Sequence, residues 1–332
     1  MDPTIRLSGV SKSFGDTAAV RDLDLEVPAG SLYGLLGPNG AGKTTTIRMI
    51  LDIIGPDRGS VEVFGRRVDD EVRSRVGYLP EERGLYPKMA VLDHIAFLGV
   101  LKGMARDEAR SEGERWLERM GLADWADERV DALSKGMQQK VQFIATVLHE
   151  PDLLILDEPF SGLDPLNVDL LKEIVLERHR AGTTVLFSTH QIEDAERLCE
   201  RVCMIAGARK VLDGPVDEVK ASFGEQEVAL SFEGDAGFLE GSPLVGETVD
   251  HGRWLEVRLA DGADPQELLG AAVRAGVDVR RFELMDIPLR EIFMEVAREK
   301  GMGAAARETE PEETHARDET PGSGRQSTGA GR

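Results

Sequence analysis

The 332-residue sequence predicts an α/β fold with a mostly parallel central sheet, followed by a small α+β domain. Three observations carry that expectation. Short apolar runs bounded by turn residues alternate with helix-like segments through roughly the first two hundred residues. A glycine-rich turn from Gly37 to Gly42 joins one such run to a helix. Beyond about residue 215 the pattern changes to period-2 alternation, the mark of an antiparallel sheet with one wet face.

In chain order, Leu23, Leu25 and Val27 alternate with charged residues and predict a half-exposed strand. Residues 31–36 are an apolar strand that runs into Gly37-Pro38-Asn39-Gly40, and residues 43–54 have helical character until Gly55-Pro56 stops them. The apolar runs at 61–64, 76–79, 153–156 and 183–187 predict central strands. Residues 90–129 are mostly helical, with Trp116, Leu117 and Met120 spaced for one buried face. In the C-terminal part, 226–232, 253–259 and 279–284 predict strands, 265–275 a helix, and 287–300 a closing amphipathic helix. From Gly303 onward there is no aromatic residue and no Ile, Leu, Val or Met, so the tail is expected to be disordered. No internal repeat is present.

Composition narrows the function classes. Hydrophobic residues at 41% and charged residues at 30% suit a soluble protein with a sizeable core. Forty Lys and Arg against 61 Asp and Glu give a net charge of −21. Such a surface repels phosphate backbones and anionic lipid heads, so nucleic acid is not expected as a partner. Met1-Asp2-Pro3-Thr4 lacks the basic and apolar regions of a secretory signal. No segment reaches the roughly 18–20 apolar residues of a bilayer span, the longest candidate being cut by Asp93 and His94. The two cysteines, Cys199 and Cys203, allow no disulfide framework and are expected as buried thiols, which makes the cytosol the default compartment.

The strongest chemical signal is Gly37-Pro38-Asn39-Gly40-Ala41-Gly42-Lys43-Thr44, a full phosphate-loop pattern between a strand and a helix. Its glycines let successive N–H groups turn toward one anion, and the helix that opens there adds its positive dipole end. Lys43 is placed to reach the β and γ phosphates, with Thr44 as a Mg²⁺ ligand and Thr45 beside it. A glycine-rich turn alone can be structural; Lys-Thr in register with correct flanks argues for the phosphate site. The second signal is the apolar strand that ends in Asp157-Glu158-Pro159. Two carboxylates at a buried strand end need a cation to offset them. Asp157 suits the Mg²⁺-associated acid and Glu158 the group that polarises the attacking water. Alone this is a weak motif; after a phosphate loop it is a phosphate-loop ATPase pattern.

Further motifs in order make the chain resemble the ATP-binding subunit of an ABC transporter over about residues 4 to 220. Leu133-Ser134-Lys135-Gly136-Met137-Gln138-Gln139 resembles the signature sequence, Ser161-Gly162-Leu163-Asp164-Pro165 the loop after the paired carboxylates, and Ser188-Thr189-His190 the switch histidine. Phe14 stands where the family places an aromatic for adenine. The resemblance implies ATP and Mg²⁺ as cofactors. It also implies a pair of subunits in which Ser134, Gly136 and Asp164 face the ATP held by the other copy, and a membrane permease as partner. His190 would contact the γ-phosphate and hold the geometry of Glu158. Together with the change of pattern near residue 215 and the composition of the tail, the resemblance divides the chain into an ATPase domain at 1–215 with a helical subdomain at about 88–150, a small α+β domain at 216–302 for which stabilising the dimer is the preferred expectation, and a disordered tail at 303–332. The place would be cytoplasmic, at the inner face of the membrane through the permease.

Two departures from the family pattern stand out. Glu81 occupies the position where the family carries a Gln that touches Mg²⁺, and a carboxylate there would repel an unscreened γ-phosphate. Lys135-Gly136-Met137 replaces the commoner Gly-Gly-Gln, with Ser134 and Gly136 retained. These segments, residues 81–87 and the closing residues 286–293 together resemble a bacterial exporter-type subgroup for sodium or drug efflux. The rival expectation is a non-transport relative acting on a soluble partner. Against it, only about ninety residues lie between phosphate loop and signature, with no sustained heptads for a coiled coil, and the chain carries one cassette.

Overall fold

The computed structural model describes residues 2–82, 84–223, 227–260, 262–285 and 287–299. Its elements in chain order are β1 (Ile5–Phe14), β2 (Thr17–Val27), β3 (Leu32–Leu36), α1 (Lys43–Ile50), β4 (Arg58–Val63), α2 (Asp70–Ser74), β5 (Val76–Leu79), α3 (Val91–Leu101), α4 (Arg106–Arg119), α5 (Lys135–Val147), β6 (Leu153–Asp157), α6 (Pro165–Arg180), β7 (Thr184–Thr189), α7 (Ile192–Leu198), β8 (Arg201–Ala206), β9 (Arg209–Pro215) and α8 (Val216–Phe223). They are followed by β10 (Glu227–Glu233), β11 (Val245–Asp250), β12 (Leu255–Leu259), α9 (Pro265–Arg274), β13 (Asp278–Met285) and α10 (Leu289–Glu299).

Six strands form the central sheet in the order β5-β6-β7-β3-β8-β9, parallel throughout except for β8 against β9. Both faces are covered. Leu154 and Leu156 of β6 enter one apolar cluster with α3, α4 and α5, while Leu153 and Ile155 enter another with β1, β2 and α1. Burial on both sides is why residues 153–156 read as one apolar run without alternation. Cys199 and Cys203 are buried free thiols within this core.

The expected central strand at 61–64 is corrected. It is β4, an edge strand of a separate antiparallel sheet, β2-β1-β4, and Val63 is its one buried residue. A short apolar run does not reveal its neighbours. β5 also lies at an edge, of the central sheet rather than at its middle. Its outward carbonyls are occupied: the Lys102 ammonium donates to Val76 O at 2.7 Å and the Thr146 hydroxyl to Tyr78 O at 3.3 Å. The helix expected over 43–54 stops at Ile50, because Asp52 turns to a φ of 54°. The N–H groups of Ile53 and Ile54 then both return to Arg48 O, closing the helix end.

The C-terminal strands form a second antiparallel sheet, β11-β12-β10-β13, with its own small core of Val228, Leu230, Val257, Leu259 and Leu268. The predicted strands correspond to β10, β12 and β13, and the predicted helices to α9 and α10. β11 has only a weak signal in the sequence, since Val245 and Val249 are its only apolar residues and all but Val245 are exposed. Gln226, Asp286, Lys300 and the tail from Gly303 lie outside the described residues.

Candidate active site

The motifs converge because β6, β7 and β3 are neighbours in the sheet. Register pairs Asp157 with Ser188 and Leu36 with Thr189, so the loops leaving the three strands open side by side. Ligands of parallel sheets collect at this carboxyl end. A cavity of about 240 Å³ lies there, lined by Ala19, residues 39–45, Glu81 and Glu158.

The turn into α1 requires glycine at two places. Gly37 has a φ of 151°, and a Cβ there would stand 2.1 Å from Ile205 O; Gly42 has a φ of 110°, and its Cβ would stand 2.2 Å from Ala19 O. With those positions bare, the backbone wraps tightly and delivers the N-terminus of α1 to the cavity, where its first N–H groups lack helical acceptors. Lys43 is 6% exposed, and its ammonium donates to Gly37 O at 2.7 Å and Pro38 O at 3.3 Å. Burial lowers its pKa, an effect offset in part by the carboxylates of Glu158 and Asp157.

The two adjacent carboxylates have different surroundings. Glu158 sits at a φ of 50°, a strained conformation for a side chain of its size, held by its N–H donating to Ser188 O at 2.9 Å. Its Oε1 is 2.9 Å from His190 Nδ1 and 3.6 Å from Lys43 Nζ, while its Oε2 accepts from the Thr189 hydroxyl at 3.2 Å. Asp157 is 1% exposed, and neither of its carboxylate oxygens has a well-formed hydrogen bond. Burial raises its pKa; the Ser188 and Thr44 hydroxyls are near enough to offset part of that without meeting hydrogen-bond geometry. A buried carboxylate lacking partners, beside a threonine hydroxyl, is a hard-oxygen donor set that fits a small divalent cation. Among the described residues no group of three or more His, Cys, Asp or Glu could hold a metal alone, so substrate oxygens and water would complete the shell.

Other expected site residues stand apart from this cavity. Ser134 caps α5, accepting from Met137 N at 3.3 Å, and is exposed; Gly136 lies beside Leu163, so the signature and the 161–165 loop share one surface. Asp164 caps α6, accepting from the Asn167 backbone and side-chain amides at 3.1 and 2.5 Å. Those bonds lower its pKa. Phe14 is 55% exposed, with the Lys12 ammonium 5.7 Å from its ring centre. Glu81, by contrast, does line the cavity. Two features had no place in the sequence expectation: the Lys43–Glu158 ion pair and the Thr189 hydroxyl. The second had a signal, a polar Ser-Thr pair ending an apolar strand; the first is a tertiary contact between motifs.

The fold and this cavity define a phosphate-loop ATPase. The sequence matches the family described as "ABC transporter" over residues 20–161, and the family described as "ATP-binding protein DrrA1-3-like, C-terminal domain" over residues 214–297. It is 44% identical over 291 residues to "Uncharacterized ABC transporter ATP-binding protein YhaQ" of Bacillus subtilis (strain 168), covering 88% of this chain and 97% of that protein. It is 34% identical to "Daunorubicin/doxorubicin resistance ATP-binding protein DrrA" of Streptomyces peucetius, covering 87% of this chain and 91% of that protein. A solved "ATP binding subunit of ABC transporter" superposes with a TM-score of 0.63 at 31% identity, over 67% of this chain and 93% of its own. The chain belongs to the ABC transporter family, as an ATP-binding, ATP-hydrolysing subunit of the type that includes exporters. No helix among the described residues is long and apolar enough to cross a membrane.

Proposed function

We propose that two copies of the chain close around two ATP molecules and drive a separate membrane permease, for export. The observation that carries the pairing is the division of the site. Lys43, Glu81 and Glu158 share one cavity, whereas Ser134, Gly136 and Asp164 lie on a different, outward surface. A helix N-terminus at Ser134 is an anion site that its own cavity does not use, and a head-to-tail partner would bring it over the γ-phosphate.

Within each half, residues 37–42 wrap the phosphates, with Lys43 and Thr45 beside them, and Phe14 offers its exposed ring to adenine. Thr44 and Asp157 would hold Mg²⁺, with Glu81, which lines the same cavity, as a further ligand; the ion would supply neutralisation of the phosphate charge. Glu158 orients and deprotonates the attacking water, and His190 and Thr189 fix its carboxylate while His190 reaches the γ-phosphate. Lys43 is engaged by Glu158 and two carbonyls until a phosphate displaces them.

The loop over residues 78–88 and the helical segment beyond it are the surface proposed for the permease. It is tied to the signature helix, since the Gln142 amide donates to Pro80 O and Glu82 O at 3.4 Å. Arg83 within it lies outside the described residues. Export is supported by the names of relatives: DrrA, and "Nod factor export ATP-binding protein I" of Paraburkholderia xenovorans (strain LB400) at 37% identity over 75% of this chain. The subunit would then sit at the cytoplasmic face, held there by the permease, with the 216–302 domain stabilising the pair.

The test is a tagged Glu158→Gln protein recovered with Mg-ATP from detergent-solubilised native membranes and identified by mass spectrometry. A multi-span permease is the expected companion. Formation of the ATP-bound pair with soluble proteins alone would overturn the transport assignment.

A further inference from the structure

Among the described residues, one helix of the C-terminal part buries its apolar face away from the core of its own sheet. α10 follows β13, yet Leu289, Ile292 and Phe293, all at 0% exposure, join the main apolar cluster with Ile192 and Ala195 of α7 and Val216 and Val219 of α8. The small sheet keeps a separate core. Polar contacts repeat the attachment. Glu196 of α7, with a side chain 19% exposed, places Oε1 2.6 Å from Lys220 Nζ of α8 and accepts from Leu289 N, at the start of α10, through Oε2 at 3.2 Å. Glu193 of α7 is 4.0 Å from Arg290 of α10, and Asp194 is bound by Lys172 of α6 at 2.7 Å.

The other end of α7 begins two residues after His190. There Gln191 N donates to the Thr189 hydroxyl at 3.0 Å, and that hydroxyl donates to Glu158 Oε2. α7 has seven residues and no side-chain hydrogen bond at its N-cap, Gln191. A helix so short takes its place from tertiary contacts rather than from its own propensity. Those contacts hold the far side of the turn carrying His190, whose near side is fixed by β7 in the central sheet.

We infer that Glu196 is a positioning residue for His190, and that α10 and α7 together form a strut through which the C-terminal sheet governs ATP hydrolysis. A shift of the small sheet moves α10; Glu196 carries the movement to α7; His190 and Thr189 pass it to the Glu158 carboxylate. The inference rests on the proposed roles of His190 and Glu158. Removing the Glu196 carboxylate takes away its ion pair with Lys220 and the acceptor of Leu289 N at the start of α10, so the polar attachment of α7 to both helices is loosened.

The experiment is a double-mutant cycle in the full chain: Glu196→Ala, His190→Ala and both together, with steady-state ATPase rates over a range of ATP and equilibrium ATP binding. Glu196→Ala should lower kcat about tenfold while leaving KM and ATP affinity within about twofold, and should have no further effect once His190 is absent. Lys220→Met, which loosens the same carboxylate without altering α7, should reproduce the pattern more weakly and serves if Glu196→Ala does not fold. An unchanged kcat in Glu196→Ala or Lys220→Met, equal losses with and without His190, or a parallel loss of ATP binding would each overturn the inference. A wild-type kcat in His190→Ala would overturn the hydrolysis assignment itself, and the strut with it.

Discussion

The two halves of the proposed divided site are built in opposite ways. At the cavity, Lys43 and Glu158 are 6% and 8% exposed and hold each other, with His190 and Thr189 completing the set. At the signature surface, Ser134 and Asp164 are both exposed, and each is occupied with capping its own helix. The first half is a preorganised interior, strained at Glu158 and charged where water is scarce. The second is an ordinary helix start, which in the proposed pair acts only once the other copy covers it. The contrast teaches that a change in the first half should act on one chain, and a change in the second only on a pair.

The largest effects should therefore come from the cavity. Glu158→Gln keeps the shape and removes the proposed base, and kcat should fall by about 10² to 10⁴ while ATP still binds. Lys43→Ala should instead abolish ATP binding, measured by equilibrium titration. Equal behaviour of the two variants would break the division of labour between them. Ser134→Ala comes next: kcat should fall about tenfold or more, with ATP affinity of the isolated chain unchanged. Mixing that variant with Lys43→Ala sharpens the comparison. In a head-to-tail pair one mixed site keeps both an intact Lys43 and an intact Ser134, so activity should return in part. No recovery on mixing would mean that both halves act within one chain.

Legibility in the sequence followed the same division. Each motif is short and local, so the phosphate loop, the Asp157-Glu158 strand end and the Ser134 cap could be found residue by residue. What binds them together is the strand order β6-β7-β3, and spacing along the chain says nothing about that order. The run at 61–64 was misplaced for this reason, as was the edge position of 76–79. β1 was missed because its pairing with β2 shifts register three times, which blurs alternation. The amphipathic face of α10 was plain in the sequence, but its destination, against α7 rather than the small sheet, is a tertiary choice between two apolar surfaces.

The smallest effect concerns the neighbour of Glu158, and it separates binding chemistry from stability. Asp157 is buried without a hydrogen-bonded partner, and burial raises its pKa. A carboxylate with a raised folded-state pKa binds its proton more tightly when folded. Its contribution favours the fold at low pH and is lost as pH rises through the folded value. In the nucleotide-free protein, Asp157→Asn should therefore raise the melting temperature at pH 8 by about 2–8 °C, the equivalent of roughly 1–3 kcal/mol for an unmatched buried group. The gain should shrink as pH falls toward the ordinary carboxylate value near 4, where the wild-type side chain is also neutral. With Mg-ATP the order should reverse, because the wild-type carboxylate gains a cation and the amide does not. Melting curves at two pH values, with and without Mg-ATP, decide it. A variant no more stable than wild type at pH 8 would mean that the Ser188 and Thr44 hydroxyls already satisfy Asp157, and that the cavity carries no unpaired charge for a cation to meet.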